Sequence, residues 1–320
     1  MVVLNNVKKI EYPDTAGLLT KPTLIWQIYT DSSGSREVET TYLTSGMNWK
    51  ANYIATIDQN DAKANIKGWV TIENNAGTAY PDAKLKLVAG DINRVYAPQP
   101  YNIGGMAPTA TAIPLAGAPP GFTQEGLFEY HLYTLQRPTT LNNNEIKQIS
   151  LFSVDNVPAK KDYSYDGAYD GEKVRVILNI TNSEENGLGM PLPKGVIRVY
   201  KADSDGQLQF LGEDSIDHTP KDEKLRINIG NAFDIVGSRT MTNQEGLVNS
   251  GSRDSYSIEL KNHKNEDVKI IVTEHLYGLW KITKASEQYT KKDAKTIDFE
   301  VNVPKDGTKT ITYTLETMYQ

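Results

Sequence analysis

The sequence predicts an all-β protein, and three observations lead to this fold class. Apolar and polar residues alternate along many segments, such as VRVILNI at 174–180 and YSIELKN at 256–262. This period of two is typical of half-buried strands. Tyr outnumbers Phe 18 to 6, and the 24 Gly and 15 Pro suit frequent turns. Few segments carry the 3.6-residue apolar spacing of a helix.

The overall composition excludes several classes of function. A chain of 320 residues can form two or three domains. The formal charge is −6 with both signs interspersed, which argues against a nucleic-acid partner. The chain has no cysteine, so disulfides, thiolate chemistry and Cys-type metal sites are excluded. No run of 18 apolar residues predicts a transmembrane helix, and MVVLNNVKK at the start is not typical of a signal peptide.

In chain order, a β-hairpin is predicted at 22–60, and a pattern that recurs three times follows it. Opening strands that run into Asn read VTIENN, ILNITN and IELKN, and second strands read AKLKLVAG, GVIRVYKA and DVKIIVTEH. Closing segments read TLNNNEIKQISLF, TPKDEKLRINI and VPKDGTKTITYTL, and GLFEYHLYTL of the first unit matches TIDFEVNVP of the third. The pattern indicates a repeated sandwich unit, because two facing sheets can bury apolar faces that one hairpin cannot. A general similarity among alternating strands is the other explanation.

This pattern predicts tandem immunoglobulin-like β-sandwich units. We expect an N-terminal β region at 1–240, made of the hairpin 22–60 and two units at 64–153 and 166–235. A C-terminal immunoglobulin-like sandwich is expected at 241–320, after the polar segment TMTNQEGLVNSGSR at 240–253. Residues 250–320 are expected to fold alone, with Trp280 in or against their core. The alternative is a division of the chain into three separate domains.

A long Pro/Gly/Ala-rich insertion loop is predicted at about 97–125, between two strands of the first unit. Residues 97–124 contain six prolines and no charged residue, so we expect little helix or strand there. Its apolar side chains need cover, either from the protein's own sheet or from a neighbouring molecule. Cover by a neighbouring molecule is preferred. The contact residues that it predicts are Tyr101, Met106, Ile113, Leu115 and Phe122.

The sequence shows no recognisable catalytic, cofactor-binding or metal-binding motif. The four histidines (His131, His218, His263 and His275) lie in different segments and lack a metal-ligand spacing. His218 and its neighbour Asp217 are expected at a surface strand end with no chemical role. Glu274 and His275 are expected to point to opposite faces of a strand, and so not to share a site.

Two acidic segments resemble calcium loops but are better explained as turns. Asp203-Ser204-Asp205-Gly206 lacks the distal Glu of such a loop, and Asp-Gly suits a hairpin turn. The segment 166–171 is interpreted in the same way. Four tryptophans, with the tyrosines near them, predict either sheet packing or stacking on sugars; they are Trp26, Trp49, Trp69 and Trp280.

Several segments of the chain carry a family resemblance. They are KPTLIW at 21–26, the block with Tyr42, Leu43, Gly46, Trp49 and Tyr53, GWVTIENNAGTAYPDAKLKLVAGDINRV at 68–95, and LPKGVIRVYKADSDGQLQFLGEDSIDHTPKDEKLRINIGNAFD at 192–234. In these segments the chain resembles a bacterial C-terminal β-sandwich domain-of-unknown-function family that also occurs in mucoidy-inhibitor-like proteins. The resemblance implies a cell-envelope setting and supplies no catalytic residues. It also implies that residues 1–19 are the tail of a preceding β region.

We therefore expect a non-enzymatic, exported structural or protein-interaction module of a bacterial cell envelope, self-assembling through the 97–125 loop. The expected location is periplasmic, cell-surface or extracellular, and the partner is a protein or a second copy. A carbohydrate-binding module that stacks cell-surface glycan on Tyr and Trp is the alternative. A hydrolase with an unrecognised site is a remote third.

Overall fold

The described residues form a protein built entirely of strands and turns. A computed structural model describes residues 23, 25–91, 93, 121–247 and 251–318. It has 18 strands and no helix in these ranges, so the all-β prediction is confirmed. None of the described segments is a helix long and apolar enough to cross a membrane.

The strands follow one another with short connections except before β5 and between β9 and β10. They are β1 (Met47–Ile57), β2 (Lys63–Asn74), β3 (Tyr80–Ala83), β4 (Lys86–Ala89), β5 (Phe122–Leu127), β6 (Tyr130–Leu135), β7 (Thr139–Leu141), β8 (Glu145–Tyr165), β9 (Lys173–Thr181), β10 (Gly195–Ala202), β11 (Leu208–Ile216), β12 (Lys224–Leu247), β13 (Gly251–Asn262), β14 (Val268–His275), β15 (Leu279–Ala285), β16 (Tyr289–Lys291), β17 (Thr296–Val303) and β18 (Gly307–Met318).

The hairpin predicted at 22–60 is not formed. Residues 25–46 contain no strand, and β1 pairs antiparallel with β2 instead. Ile25, Tyr29 and Leu43 stay exposed. Alternation alone therefore does not produce a strand where no apolar surface is available to cover one face.

A 13-stranded sheet runs through the molecule because two long strands change their antiparallel partner along their length. β8 pairs first with β2 and then with β9, and β12 pairs first with β9 and then with β13. The path is β11-β10-β1-β2-β8-β9-β12-β13-β18-β15, with β14, β16 and β17 joined to it through β8. Two small sheets, β4-β6-β5 and β3-β7, are also present in the described residues.

Each predicted opening strand pairs antiparallel with the predicted closing strand of its own segment. These pairs are β2 with β8, β9 with β12 and β13 with β18. Between them, β4 pairs with β6 and β14 pairs with β17, so the matched segments GLFEYHLYTL and TIDFEVNVP lie in equivalent places. The structure thus repeats the strand connections that the sequence pattern indicates.

A buried asparagine closes each opening strand in the same way. The Asn74 Nδ2 donates to the carbonyl oxygens of Thr78, Leu141 and Asn142 at 2.9, 3.2 and 3.0 Å. Its Oδ1 accepts from the backbone N–H of Ala76 at 3.1 Å. We call this arrangement an asparagine anchor.

The anchor recurs at the ends of β9 and β13. Each asparagine again donates to one carbonyl in the turn after it and to two carbonyls before the closing strand. The acceptors are Met190, Thr219 and Pro220 for Asn182, and Glu266, Val303 and Pro304 for Asn262. A residue with positive φ follows the second set of carbonyls in all three anchors: Asn144 (58°), Asp222 (67°) and Asp306 (46°). Asn and Asp tolerate this left-handed conformation, which explains these turn residues.

Two hydrophobic clusters form, and the second extends across the predicted boundary at 240. The first cluster draws on β1, β2, β4, β6, β8, β9, β10 and the start of β12. The second joins Tyr163, Tyr165, Val174 and Ile235 to β13, β14, β17 and β18. Strand β12 passes through residue 240 and stays paired with β13 up to Leu247. The polar residues at 240–247 are polar because they lie in an exposed strand, and not because they link two domains.

The C-terminal end of the insertion loop predicted at 97–125 is wrong. Phe122–Leu127 form β5, so residues 122–125 belong to a strand, and Phe122 is half-buried against the first cluster. Gly121 is also tied in, because its N–H donates to Ser150 and its carbonyl accepts from Gln136. The rest of the predicted loop, 97–120, lies outside the described residues.

Candidate binding site

A polar pocket lies where β8 ends and where β9, β12 and β14 come together. Its volume is about 280 Å³. Charged and polar side chains dominate its lining, among them Ser164, Asp166, Arg175, Arg226, Thr273 and His275. We call it the Asp166 pocket.

Asp166 organises one side of this pocket. It is buried, and its Oδ2 lies 2.8 Å from the Nε2 of His275. Its Oδ1 accepts the N–H of Ala168 at 3.2 Å, which closes the turn after β8. Arg175 donates to Asp170 at 2.7 Å and lies 4.0 Å from Asp166. The pocket therefore presents guanidinium and imidazole groups held by carboxylates.

Two exposed tyrosines stand beside this cluster. The Tyr169 ring meets the His275 ring edge-on, with centroids 5.1 Å apart. A hydrogen bond with Tyr277 is the main reason that the pKa of Tyr169 is raised. Tyr169 and Tyr277 are 68% and 61% exposed, so their ring surfaces are available to a ligand. Aromatic faces beside polar groups suit a ligand with both apolar and polar sides, such as a sugar.

The neighbour of His275 has separate partners on the other face of β14. Glu274 is buried and accepts two hydrogen bonds from Arg239 at 2.9 Å, and Tyr313 also donates to it. Arg239 stacks over Tyr256, with 4.0 Å from the guanidinium carbon to the ring centre. Burial lowers the pKa of Arg239, but Glu274 outweighs this effect and raises it overall. Glu274 and His275 thus have different partners, as their adjacent positions in a strand predict.

A second cavity of about 350 Å³ has an ionic rim and apolar walls. Asp61 there accepts hydrogen bonds from both Lys161 and Lys201. Burial raises the pKa of Asp61, but the two ammonium groups lower it more, so the net value lies below the usual one. This arrangement ties the β1–β2 turn to β8 and β10.

The structure describes only one of the predicted contact residues. Phe122 packs on the protein's own first cluster. Tyr101, Met106, Ile113 and Leu115 lie outside the described residues.

Three of the four histidines have partners for their side chains, and His263 is exposed. His131 Nδ1 lies 2.9 Å from the Gln124 amide nitrogen. His218 follows the end of β11 beside the exposed Asp217, as expected, but its ring is half-buried and its Nδ1 accepts the N–H of Lys194. Burial is the main cause of its lowered pKa, and Lys194 adds to it.

Both acidic segments form turns. Asp203–Gly206 connects the antiparallel strands β10 and β11, so the predicted hairpin is confirmed. The Asp203 carboxylate accepts hydrogen bonds from the N–H groups of Asp205 and Gln207 at 3.0 and 2.9 Å. The carboxylate therefore stabilises the turn itself. Residues 166–171 connect β8 to β9 in the same manner. Trp280 packs against the second cluster, where it was expected.

Sequence reasoning missed the Asp166 pocket because its residues come from four strands. The available signal was the run Asp166 to Asp170, with Tyr169 between two carboxylates in a turn.

No protein-family model and no curated protein matches this chain. The family resemblance therefore stays a prediction.

Proposed function

We propose that the chain is a non-enzymatic structural or protein-interaction module, exported to a bacterial cell envelope and built of tandem immunoglobulin-like units. The observation that carries this proposal is the sharing of β8 and β12 between successive segments. A strand that belongs to two segments joins them without a hinge. A stiff array of this kind suits a spacer or scaffold outside the cell.

The asparagine anchors support the same role. Each anchor ties the end of an opening strand to the start of a closing strand, so a pull along the sheet is spread over several hydrogen bonds. β12 has 24 residues, which corresponds to a contour length on the order of 80 Å. Repeat proteins use such extended surfaces for binding. The uncharged 97–124 segment is a further proposed contact region, in line with its composition.

A co-sedimentation assay with bacterial envelope fragments tests this function. We expect the purified chain to pellet with intact fragments, and to stay in the supernatant after the fragments are treated with proteinase and washed. Failure to pellet with untreated fragments would contradict an envelope role. Pelleting that survives the proteinase treatment would instead favour a glycan as the partner.

Carbohydrate binding is the second candidate, and the tyrosines beside the Asp166 pocket favour it. Tyr169 and Tyr277 offer ring faces, while Arg175 and Arg226 offer donors for hydroxyl or carboxylate oxygens. We expect Tyr169→Ala to weaken binding on a glycan array at least tenfold. Phe233→Ala is the matched control, because Phe233 is an aromatic residue that is 96% exposed. Equal binding by both variants would exclude this site.

A further inference from the structure

One strand position recurs three times relative to the asparagine anchors. Tyr53 pairs with Gly68, Tyr163 with Val176 and Met241 with Tyr256. Gly68, Val176 and Tyr256 each lie six residues before the anchor asparagine of their strand. Tyr53, Tyr163 and Met241 are therefore equivalent positions in the lead-in strands β1, β8 and β12.

The first two of these positions also pair with a parallel strand on their other side. Tyr53 pairs with Ile197 of β10, and Tyr163 pairs with Ile270 of β14. Both tyrosines are buried as a result. β10 is the second strand of the second segment and pairs with β1, the lead-in strand of the first segment. In the same way, β14 is the second strand of the third segment and pairs with β8, the lead-in strand of the second segment.

The third position lacks this parallel neighbour among the residues that the structure describes. Met241 is 45% exposed, although it shares a sheet face with the buried Tyr256. Residues 240–246 are exposed along the whole end of β12. We call the side of β12 that faces away from β13 at 240–247 the β12 edge.

A complementary edge lies on β4. β4, β10 and β14 are the second strands of their segments, and each pairs antiparallel with the strand that follows it in the sheet. β10 and β14 pair with a lead-in strand on the other side. Within 25–91, 121–247 and 251–318, no strand pairs with the other side of β4, which we call the β4 edge.

We propose that the β4 edge of one copy pairs in parallel with the β12 edge of a second copy. This inference rests on the proposed role as an interaction module and names its partner. The contact reproduces between two chains the pairing that β10 makes with β1 and β14 makes with β8. Its two edges are different surfaces, so the assembly is head-to-tail and can add further copies.

The internal pairings also define the register. Leu87 and Ala89 are buried in β4 as Ile197 and Val199 are in β10. Leu87 therefore aligns with Met241, and Lys86 aligns with Thr240. The bulge between Met241 and Asn243 shortens the regular edge. The pairing of β14 with β8 involves three residue pairs, so a short edge is sufficient.

Sedimentation velocity over a concentration series tests the association. We expect the weight-average sedimentation coefficient of the protein to rise with its concentration, because a larger share of the chains is then associated. Met241→Lys should weaken the association at least tenfold, because it places a charge where the second copy would bury a side chain. Phe233→Lys is the control, because it introduces the same charge at an exposed apolar residue of β12 outside the proposed contact, and we expect it to associate normally. A chain that stays monomeric throughout, or an equal effect of both variants, would overturn the proposal.

Cysteine cross-linking tests the register directly, because the chain contains no cysteine of its own. We expect a mixture of Thr240→Cys and Lys86→Cys chains to form a disulfide-linked dimer on mild oxidation. A mixture of Thr240→Cys with Lys305→Cys is the control, since Lys305 is exposed in another turn. Equal dimer yields in the two mixtures would contradict the edge pairing.

Two further measurements separate this inference from the proposed function. If Met241→Lys is monomeric and still pellets with envelope fragments, the edge pairing and the envelope role both hold. If association is unchanged in Met241→Lys but lost when residues 98–118 are deleted, the loop makes the contact and the edge inference is wrong. Failure of the wild-type chain to pellet would overturn the proposed function alone.

Discussion

At the scale of single residues, the buried polar side chains of this protein hold the turns and strands around them in place through hydrogen bonds. Asn74, Asn182 and Asn262 are almost inaccessible to water, and each has a full set of hydrogen bonds. Buried amides are stable only when their partners are present, so these residues specify one arrangement of the turns around them. Glu274 and Arg239 do the same between β14 and β12.

We expect Asn182→Ala to lower the free energy of unfolding by about 3 kcal/mol, because it leaves buried carbonyl groups without donors. Urea denaturation followed by tyrosine fluorescence gives the change in midpoint. Asn302→Ala is the matched control, since Asn302 is exposed on β17, and it should change stability by less than about 0.5 kcal/mol. An Asn182→Ala protein as stable as this control would show that the anchor is dispensable.

Removing one partner of the buried Arg239–Glu274 ion pair is expected to lower the free energy of unfolding by more than Asn182→Ala does. Arg239→Met leaves the buried Glu274 carboxylate without its counter-charge, which costs about 3–5 kcal/mol. The double variant Arg239→Met with Glu274→Leu removes both charges and should recover most of the loss. Thermal and urea unfolding of the two variants measure this difference. A double variant no more stable than Arg239→Met would contradict the explanation.

At the scale of elements, the long strands need ties that hold them in place where they change partners. Asp61 supplies one such tie, because it sits in the β1–β2 turn and binds Lys161 of β8 and Lys201 of β10. The turn residue thus connects three strands that are distant in sequence. This connection depends on the ionised form of the carboxylate.

The Asp61 tie predicts a loss of stability in acid. Burial raises the pKa of Asp61 and the two lysines lower it more, so the folded value is below the usual 3.8. Its contribution is therefore fully present above the unfolded pKa and is lost as the pH falls through the folded value. We expect Asp61→Asn to be destabilised at pH 7 and to lose less stability than the wild type between pH 4 and pH 2. Identical pH profiles of unfolding for the two proteins would contradict this role.

At the scale of the whole molecule, the shared strands make the C-terminal region dependent on residues before 240. The second cluster contains Tyr163, Tyr165, Val174 and Ile235, and β13 needs β12 as its neighbour. A fragment that begins at 241 lacks all of these residues. The division into regions at 1–240 and 241–320 therefore cuts through one core.

We expect a 241–320 fragment, which includes the residues 250–320 that the sequence predicts to fold alone, to show poorly dispersed amide resonances. A 156–318 fragment contains the second cluster complete and should give dispersed resonances. Heteronuclear NMR spectra of the two fragments make the comparison. A well-dispersed spectrum from 241–320 would show that its own strands suffice and that the shared cluster adds little.

Local chemistry made much of the fold predictable from the sequence. Alternation identified β9, β13 and most other strands, and Asp203–Gly206 indicated its hairpin, because side-chain direction and turn geometry are properties of a few adjacent residues. The recurring Asn at the ends of opening strands was visible as a pattern. The candidate site was not predictable, because Asp166 and His275 are 109 residues apart and their contact depends on how β14 is placed beside β8.

The sequence alone therefore determined the all-β class, most strands and the recurring order of opening, second and closing segments. Only the tertiary structure decided that opening strands pair antiparallel with closing strands, and which strands pair in parallel. It also decided that β8 and β12 change antiparallel neighbours along their length, and that residues 25–46 form no hairpin. The physical reason is that alternation states which face of a strand is apolar, but not which strand will lie at its edge. Edge pairing uses backbone groups that every residue carries, so its partners are selected by the packing of the whole molecule.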